Sequence, residues 1–491
     1  MNRREFLKGT AWMGAAAVAA GCACDKVLAG TGGSMQGFAC KPLKRIRVGV
    51  VGCGSRGRGA IHRLAIIPGV EVAALCDLHQ VRLDEHRQWL KENKKPIPRE
   101  YVGPEAYKAL CESEVDAVYV CTGWTMHTPV ALYALEHGKH AFIEVPSATT
   151  LDECWALVET AERTRLHCMQ LENACYCEAE MLCLNLVRQG LLGELVHCEG
   201  AYIHDLRIAN YADWTPKDIG APYVDYWRLK ANVAHKGNQY ETHGLGPLCQ
   251  YLNINRGDRF EYLTSMESDQ TNFEAYARAV FPSDSWKAKL KVAMGDMNTT
   301  VIRTAKGRTV LVQHDISSPR PYSRLNVCTG TKGIFSGITL VDTPEQAFAE
   351  GNPARFGWEE KPGEGVHKFF DFTKYKEIRE RYRHPLWRDV GAIAKKVGGH
   401  GGCDFLMDLR WCYCLQNGLP LDQDVYDLAA WDSLGELTER SVRSRSQSVE
   451  VPDFTRGGWK TAKPLGIVEI DPKKMGLGDA ALKEDRAQLS V

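Results

Sequence analysis

The chain has no excess of either charge: 61 Lys+Arg stand against 61 Asp+Glu over 491 residues, for a formal net charge of zero. That balance excludes a strongly basic nucleic-acid binder, which works by neutralising phosphates. No apolar run reaches the roughly 18 residues that a membrane-spanning helix needs. There is no internal repeat or low-complexity tract, and the 21 Pro and 45 Gly follow no period, so solenoid and collagen-like architectures are excluded. The close cysteine pairs Cys22/Cys24, Cys175/Cys177 and Cys412/Cys414 are two-residue steps and not the CxxC pairs of a zinc site, so no structural metal is expected. What remains is ordinary globular composition, 44% hydrophobic and 25% charged, long enough for two or three domains.

The first residues form an address. Asn2-Arg3-Arg4-Glu5-Phe6-Leu7-Lys8 precedes a mildly apolar stretch from Gly9 to Gly21. Adjacent arginines before a weak hydrophobic segment read as a twin-arginine export signal, with a linker, over residues 1–40. The expectation is a protein that folds in the cytoplasm, engages the twin-arginine machinery and ends in the periplasm or cell envelope. Cys22 is a candidate lipid anchor. Eighteen cysteines in a short secreted chain would suggest a disulfide framework, but a chain folded in a reducing compartment need not form bridges. Most of these cysteines sit in apolar contexts, as small buried hydrophobes do.

From Arg45 the order is strand, glycine turn, helix, strand. Ile46–Val51 runs into Gly52-x-Gly54-x-x-Gly57, and a second apolar strand ends at Asp77, 20 residues beyond Gly57. This is a dinucleotide-binding fingerprint. Gly52 permits the turn, Gly54 lets the backbone approach a pyrophosphate, and Gly57 lets the helix pack close, with its N-terminus facing the phosphates. Asp77 would accept from the ribose hydroxyls and repel a 2′-phosphate, which favours NAD over NADP. Further strands are expected at 115–121, 141–143 and 167–171, with helices at 128–137, 151–165 and 178–189. That alternation predicts a doubly wound parallel Rossmann sheet over residues 41–190.

Beyond about residue 190 the segments 195–203, 260–267, 289–293, 300–304, 309–315 and 325–329 are strand-like, and long helices do not separate them. They predict an α+β domain with an open antiparallel sheet over 191–470. Helices are expected at 370–381, 403–415 and 425–437, and a charged surface tail at 471–491. The fold class is thus α/β followed by α+β.

A Rossmann domain, a short Glu-Val-Pro segment and an open antiparallel sheet together resemble the Gfo/Idh/MocA oxidoreductases. Within that superfamily the chain resembles the NAD-dependent glycosidases of glycoside hydrolase family 109, the α-N-acetylgalactosaminidases. The resemblance rests on GCGSRGRG (52–59), GWTMH (123–127), EVPSATTLDECWALVETAERT (144–164), LENACY (171–176), GELVHCEGAYIHDLR (193–207), GNQYETHGLGPLCQYLNINRGDR (237–259), RPYSR (320–324) and GGHGGCDF (398–405). It covers nearly everything beyond the signal. Sugar dehydrogenases of the superfamily carry Glu-Lys-Pro, whereas Val145 stands here where their lysine assists oxidation of a hydroxyl.

The resemblance implies an unusual hydrolysis. A tightly bound, recycled NAD oxidises sugar carbon 3, a base removes the proton on carbon 2, and the aglycone on carbon 1 is eliminated. Water then adds and carbon 3 is reduced again. The substrate would be a glycan ending in α-N-acetylgalactosamine, and the family's open sheet suggests a homo-oligomer. NAD contacts carry over to Gly52, Gly54, Ser55, Arg56, Gly57, Asp77, Trp124, Thr125, Met126, His127, Glu144, Val145 and Asn173.

The Tyr240-x-x-His243 spacing allows both side chains to share one helical face, and a histidine near neutrality suits deprotonation of a hydroxyl. The alternative is a core histidine bonded to a carbonyl; the resemblance makes the pair the leading catalytic candidates. Tyr176 is a further candidate base. Tyr202, Arg228, Tyr240, Glu241, Thr242, His243 and Tyr322 are the expected sugar contacts, and His400-x-x-x-Asp404 reads as a turn and helix cap. Two other functions stay open: an exported NAD-dependent sugar oxidoreductase, and a sugar-binding module whose cofactor is structural.

Overall fold

A computed structural model describes residues 33–218 and 220–476. The twin-arginine motif, Cys22 and most of the expected tail lie outside the described residues. Six parallel strands form the first sheet: β1 (Ile46–Val51), β2 (Val70–Asp77), β3 (Arg99–Val102), β4 (Ala117–Val120), β5 (His140–Ile143) and β6 (Cys168–Gln170). Their order, β3-β2-β1-β4-β5-β6, reverses between β1 and β4, and ligands bind at such a switch point beyond the carboxyl ends of the strands. β4 and β5 are buried at every residue, which explains their unbroken apolar runs. The helix Leu151–Thr164 starts at a capping box in which Thr150 and Glu153 satisfy each other's backbone N–H.

The second sheet holds β7 (Leu195–Ile203), β8 (Phe260–Glu267), β9 (Asn298–Thr304), β10 (Thr309–Asp315), β11 (Ser323–Gly330), β12 (Gly333–Ser336), β13 (Arg355–Trp358) and β14 (Val449–Glu450), in the order β13-β12-β11-β7-β10-β9-β8-β14. It is mixed, because β7 and β10 pair in parallel while every other neighbour is antiparallel. The helices Thr242–Leu252 and Val425–Arg443 cover one face. The latter also packs on Leu151–Thr164, and Cys403–Asn417 packs on the glycine-loop helix Ser55–Leu64, so the end of the chain returns to the first sheet.

Several local expectations change. Residues 289–293 form no strand: Leu290 and Val292 are buried alternately, but no neighbouring strand pairs with them. The strands β3, β12, β13 and β14 and the helix Pro385–Val397 were not foreseen. β3 is a polar edge strand, and the helix starts from a Pro that follows its His384 cap. The tail begins inside the molecule, since Met475 is buried against the core.

Candidate active site

A cavity of about 450 Å³ opens beyond the carboxyl ends of β1, β2, β4 and β5 and runs to the end of β7. Its cofactor half fits a dinucleotide. No side chain caps the helix Ser55–Leu64, so its first N–H groups are open to an anion. A Cβ on Gly57 would stand 1.9 Å from Gly52 O, so only glycine allows this approach of helix and strand. Asp77 accepts from Cys53 N (2.8 Å) and His79 N (2.9 Å), which fixes its carboxylate at the rim of the cavity. Arg82 lies against Gly54 on the same side and was not anticipated; only its place in space reveals it.

A charge network closes this half. Arg56 donates to Glu144 Oε1 (Nη2, 2.7 Å) and to Asp404 Oδ2 (Nη1, 3.1 Å). Asp404 also accepts from Asn173 Nδ2 (2.5 Å) and pairs with His400 Nδ1 (3.0 Å). Burial raises the Asp404 carboxyl, but Arg56, His400 and Arg63 outweigh it and hold the group well below the usual carboxylate range. A disulfide joins Cys177 to Cys403 beside this network; of the other described cysteines, Cys40 and Cys121 are half-buried and the rest are buried and free. His400 therefore lines the cavity in addition to ending a turn.

Trp124, Met126, His127, Glu144, Val145 and Asn173, carried over as NAD contacts, line the cavity. Thr125 does not: the turn Trp124–Met126 carries it to the solvent, and Thr122 lines the cavity instead. Both His127 ring nitrogens face backbone carbonyls, Nδ1 to Pro146 O (2.7 Å) and Nε2 to Thr122 O (2.9 Å), so this histidine braces the loop.

The other half is aromatic. Tyr240 stacks on Trp124 with ring centroids 5.8 Å apart and meets the Tyr202 ring at 4.7 Å. Arg228, expected as a sugar contact, is buried, its guanidinium 4.4 Å from the Tyr240 ring centre. Nη1 donates to the Tyr223 hydroxyl (3.1 Å), while Nε and Nη2 have no partner in the protein. His243 Nδ1 lies 2.7 Å from Glu172 Oε1, and Nε2 lies 3.4 Å from the Tyr240 hydroxyl. Burial raises the Tyr240 and Tyr202 phenols well above their usual range, so both are neutral donors at pH 7.

His204, Tyr223 and Trp227 also line this half and were missed, because they stand on a strand end, a loop and a helix start that meet only in three dimensions. Tyr322 packs edge-on against Tyr202 and His204 and accepts from Arg324 Nη1 (3.0 Å), one layer behind the wall.

Besides Thr125 and Tyr322, three more expected residues fall outside. Tyr176 is buried in the core with its hydroxyl donated to Asp422 (3.1 Å), and burial raises its phenol far above the range of a base. Glu241 immediately precedes the helix Thr242–Leu252 and Thr242 starts it; both are buried, whereas Tyr240, ahead of the helix, and His243, in its first turn, line the cavity. Glu241 lies near Asp432 instead, with neither of its oxygens bonded.

Comparison with known proteins agrees with this geometry. Residues 176–461 match the family described as glycosyl hydrolase 109, C-terminal domain, and residues 46–171 match the oxidoreductase family with an NAD-binding Rossmann fold. A glycosyl hydrolase family 109 protein of Shewanella pealeana is 45% identical over 482 residues, covering 95% of this chain and 99% of its own. A protein of Shewanella oneidensis called alpha-N-acetylgalactosaminidase is 43% identical over 479 residues, with the same coverage. Among solved structures, levoglucosan dehydrogenase in complex with NADH and L-sorbose shares the fold at a TM-score of 0.60 and 15% identity, covering 84% of this chain and 100% of its own. An oxidoreductase domain protein of Kribbella flavida does so at 0.61 and 18%, with 84% and 100% covered. The chain belongs to glycoside hydrolase family 109 and is an NAD-dependent glycoside hydrolase built on the Gfo/Idh/MocA fold.

Proposed function

We propose that this enzyme releases terminal α-N-acetylgalactosamine from glycans by a redox-assisted elimination, with one tightly held NAD reused at every turnover. The observation that carries the reading is the make-up of the cavity: among the described residues no lysine lines it, and His243 with its flanking tyrosines occupies the sugar half. A hydrolysis of the usual kind needs two free carboxyl groups flanking the sugar. Here no such pair is formed: Glu144 is engaged by Arg56, Asp77 is capped at the cofactor end, and Asp225, the third carboxylate of the lining, is exposed to solvent.

When bound, NAD supplies a hydride acceptor that returns the hydride to the same sugar carbon before release. The chain's own residues move protons and hold charge. His243 Nε2 takes the proton of the carbon 3 hydroxyl and gives it back, with the Tyr240 phenol beside it as donor. Arg228 offers its two unpartnered N–H directions to the sugar oxygens as negative charge collects there. Tyr202, backed by Tyr322, supplies a hydroxyl for the carbon 2 side of the ring. Ser55, Arg56, Asp77, Glu144 and Asn173 would hold the cofactor. Export by the twin-arginine route, read from Arg3-Arg4, suits a protein that acquires NAD before it leaves the cytoplasm, and assembly through the open sheet belongs to the same reading.

The test is incubation with a chromogenic α-N-acetylgalactosaminide and no added cofactor. Phenol released over many turnovers without net NADH is the expected result. NADH accumulating with free sugar and added NAD, and no phenol, would overturn the proposal in favour of an oxidoreductase.

A further inference from the structure

We propose that Glu172 is a positioning residue: it holds His243 as the Nδ1–H tautomer, so that the bare Nε2 faces the sugar. This rests on the glycosidase reading for its kinetics but not for its geometry. Glu172 follows β6 by two residues and is fully buried. Both of its carboxylate oxygens face His243 Nδ1, at 2.7 and 3.0 Å, and Oε1 also accepts from Ala174 N at 2.9 Å. A carboxylate is an acceptor only, so the ring nitrogen that meets it must carry the proton. Nε2 is left as the acceptor on the cavity side, which is the form a general base requires.

The surroundings are shaped for this carboxylate. A Cβ on Gly246, one turn beyond His243 on the same helix, would stand 2.8 Å from Glu172 Cγ and 3.1 Å from Cys175 Sγ. Glycine there provides the slot that the Glu172 side chain fills. Gln423 Nε2 donates to the Glu172 carbonyl at 3.1 Å and pins the backbone from the other side. Burial raises the carboxyl, yet the charge and hydrogen bond of His243, with the Ala174 N–H, bring it below its ordinary value. Glu172 therefore stays ionised and available. It is sealed off from the cavity and acts through the ring it orients.

Two measurements test this. The first is the ¹⁵N spectrum of ring-labelled holoenzyme, with His243→Gln assigning the resonance. It should show His243 protonated on Nδ1 alone in its neutral form. The second is steady-state hydrolysis by Glu172→Gln and Glu172→Asp. Glu172→Gln should lower kcat roughly 100-fold with KM changed less than about threefold and bound NAD retained, and Glu172→Asp should recover at least about tenfold of that loss. An Nε2–H tautomer in the wild type would overturn the proposal. So would a Glu172→Gln enzyme with wild-type kcat, or Asp and Gln variants that lose activity, NAD and melting temperature equally. If the wild type shows the Nδ1–H tautomer but releases no aglycone, the glycosidase reading fails and the orienting role of Glu172 stands.

Discussion

The two halves of the cavity satisfy their polar groups differently. In the cofactor half most charged groups already have a protein partner, Arg82 being the exception among the described residues: Arg56 has Glu144 and Asp404, Arg63 has Asp408, and Asp77 has two backbone N–H groups. In the sugar half the strongest donor, Arg228, sits among Tyr240, Trp124, Tyr223 and Tyr202 with Nε and Nη2 unpartnered. Buried polar groups left without partners are rare, and at a binding site they mark hydrogen bonds reserved for a ligand. The cofactor half is therefore self-supporting structure that also binds. On the proposed reading, the sugar half carries a cost in the free enzyme that a bound sugar would remove. Substitutions in the two halves should separate stability and NAD content from turnover.

The largest separation is expected at His243. His243→Ala should lower kcat by roughly 10²- to 10⁴-fold, the range lost with a general base. Bound NAD, measured after denaturation, should stay at the wild-type level. Equal loss of NAD and turnover would erase the distinction between the halves.

Arg228→Met comes next. The stem and its packing on the rings survive, while the cation and its unpartnered N–H groups go. KM for the glycoside should rise roughly 10- to 100-fold, as when a hydrogen bond from a charged group to the sugar is lost. The melting temperature should hold or rise, because a desolvated and incompletely bonded cation has been removed. A large fall in stability would mean that Arg228 serves the fold first.

Arg56→Met should behave in the opposite way. It leaves Glu144 and Asp404 short of a partner, although Arg63 Nη1 remains 3.5 Å from Asp404. Unfolding stability should fall by about 1–3 kcal/mol, less than for a sealed ion pair because the Arg56 side chain is 33% exposed. NAD content should fall with it, while turnover per NAD-loaded molecule stays near wild type. Calorimetry and turnover normalised to bound NAD distinguish the cases.

That contrast also explains how much could be read from the chain alone. Gly52 to Gly57, Asp77, Trp124 and Glu144 were legible because a parallel sheet presents its ligand contacts at successive strand ends, each beside a local apolar run. Tyr240 and His243 do meet, but not on one helical face as their spacing suggested, because the helix starts only at Thr242. Glu241 and Thr242 were misplaced because adjacency in sequence is not adjacency on a helix face. Tyr176 was misread because nothing in its local sequence announces Asp422, 246 residues away. The same distance hid His204, Glu172 as the partner of His243, and the disulfide across a sequence separation of 226. The mixed character of the second sheet depends on one parallel pair, β7 with β10, which alternation within a strand cannot reveal.

The smallest expected effect lies beneath the sugar half and separates reserved groups from merely buried ones. Glu241 has both oxygens unbonded, and Asp432 has only Oδ2 engaged, by Ser147 N and Ala148 N at 2.8 Å each. Burial first, and then the Asp432 charge, raises Glu241 well above its ordinary value of 4.5; burial likewise raises Asp432. The folded protein thus keeps protons that the unfolded chain releases. Stability from this pair is fully present below the ordinary carboxylate values and is lost as pH rises through the raised folded ones. Glu241→Gln keeps the shape and removes that titration. Its melting temperature should fall less than the wild type's between about pH 5 and pH 9, by roughly 1–3 °C, with kcat unchanged. An unaltered pH slope would mean that Glu241 ionises freely where it stands, and a changed kcat would move it from the floor of the site into its chemistry.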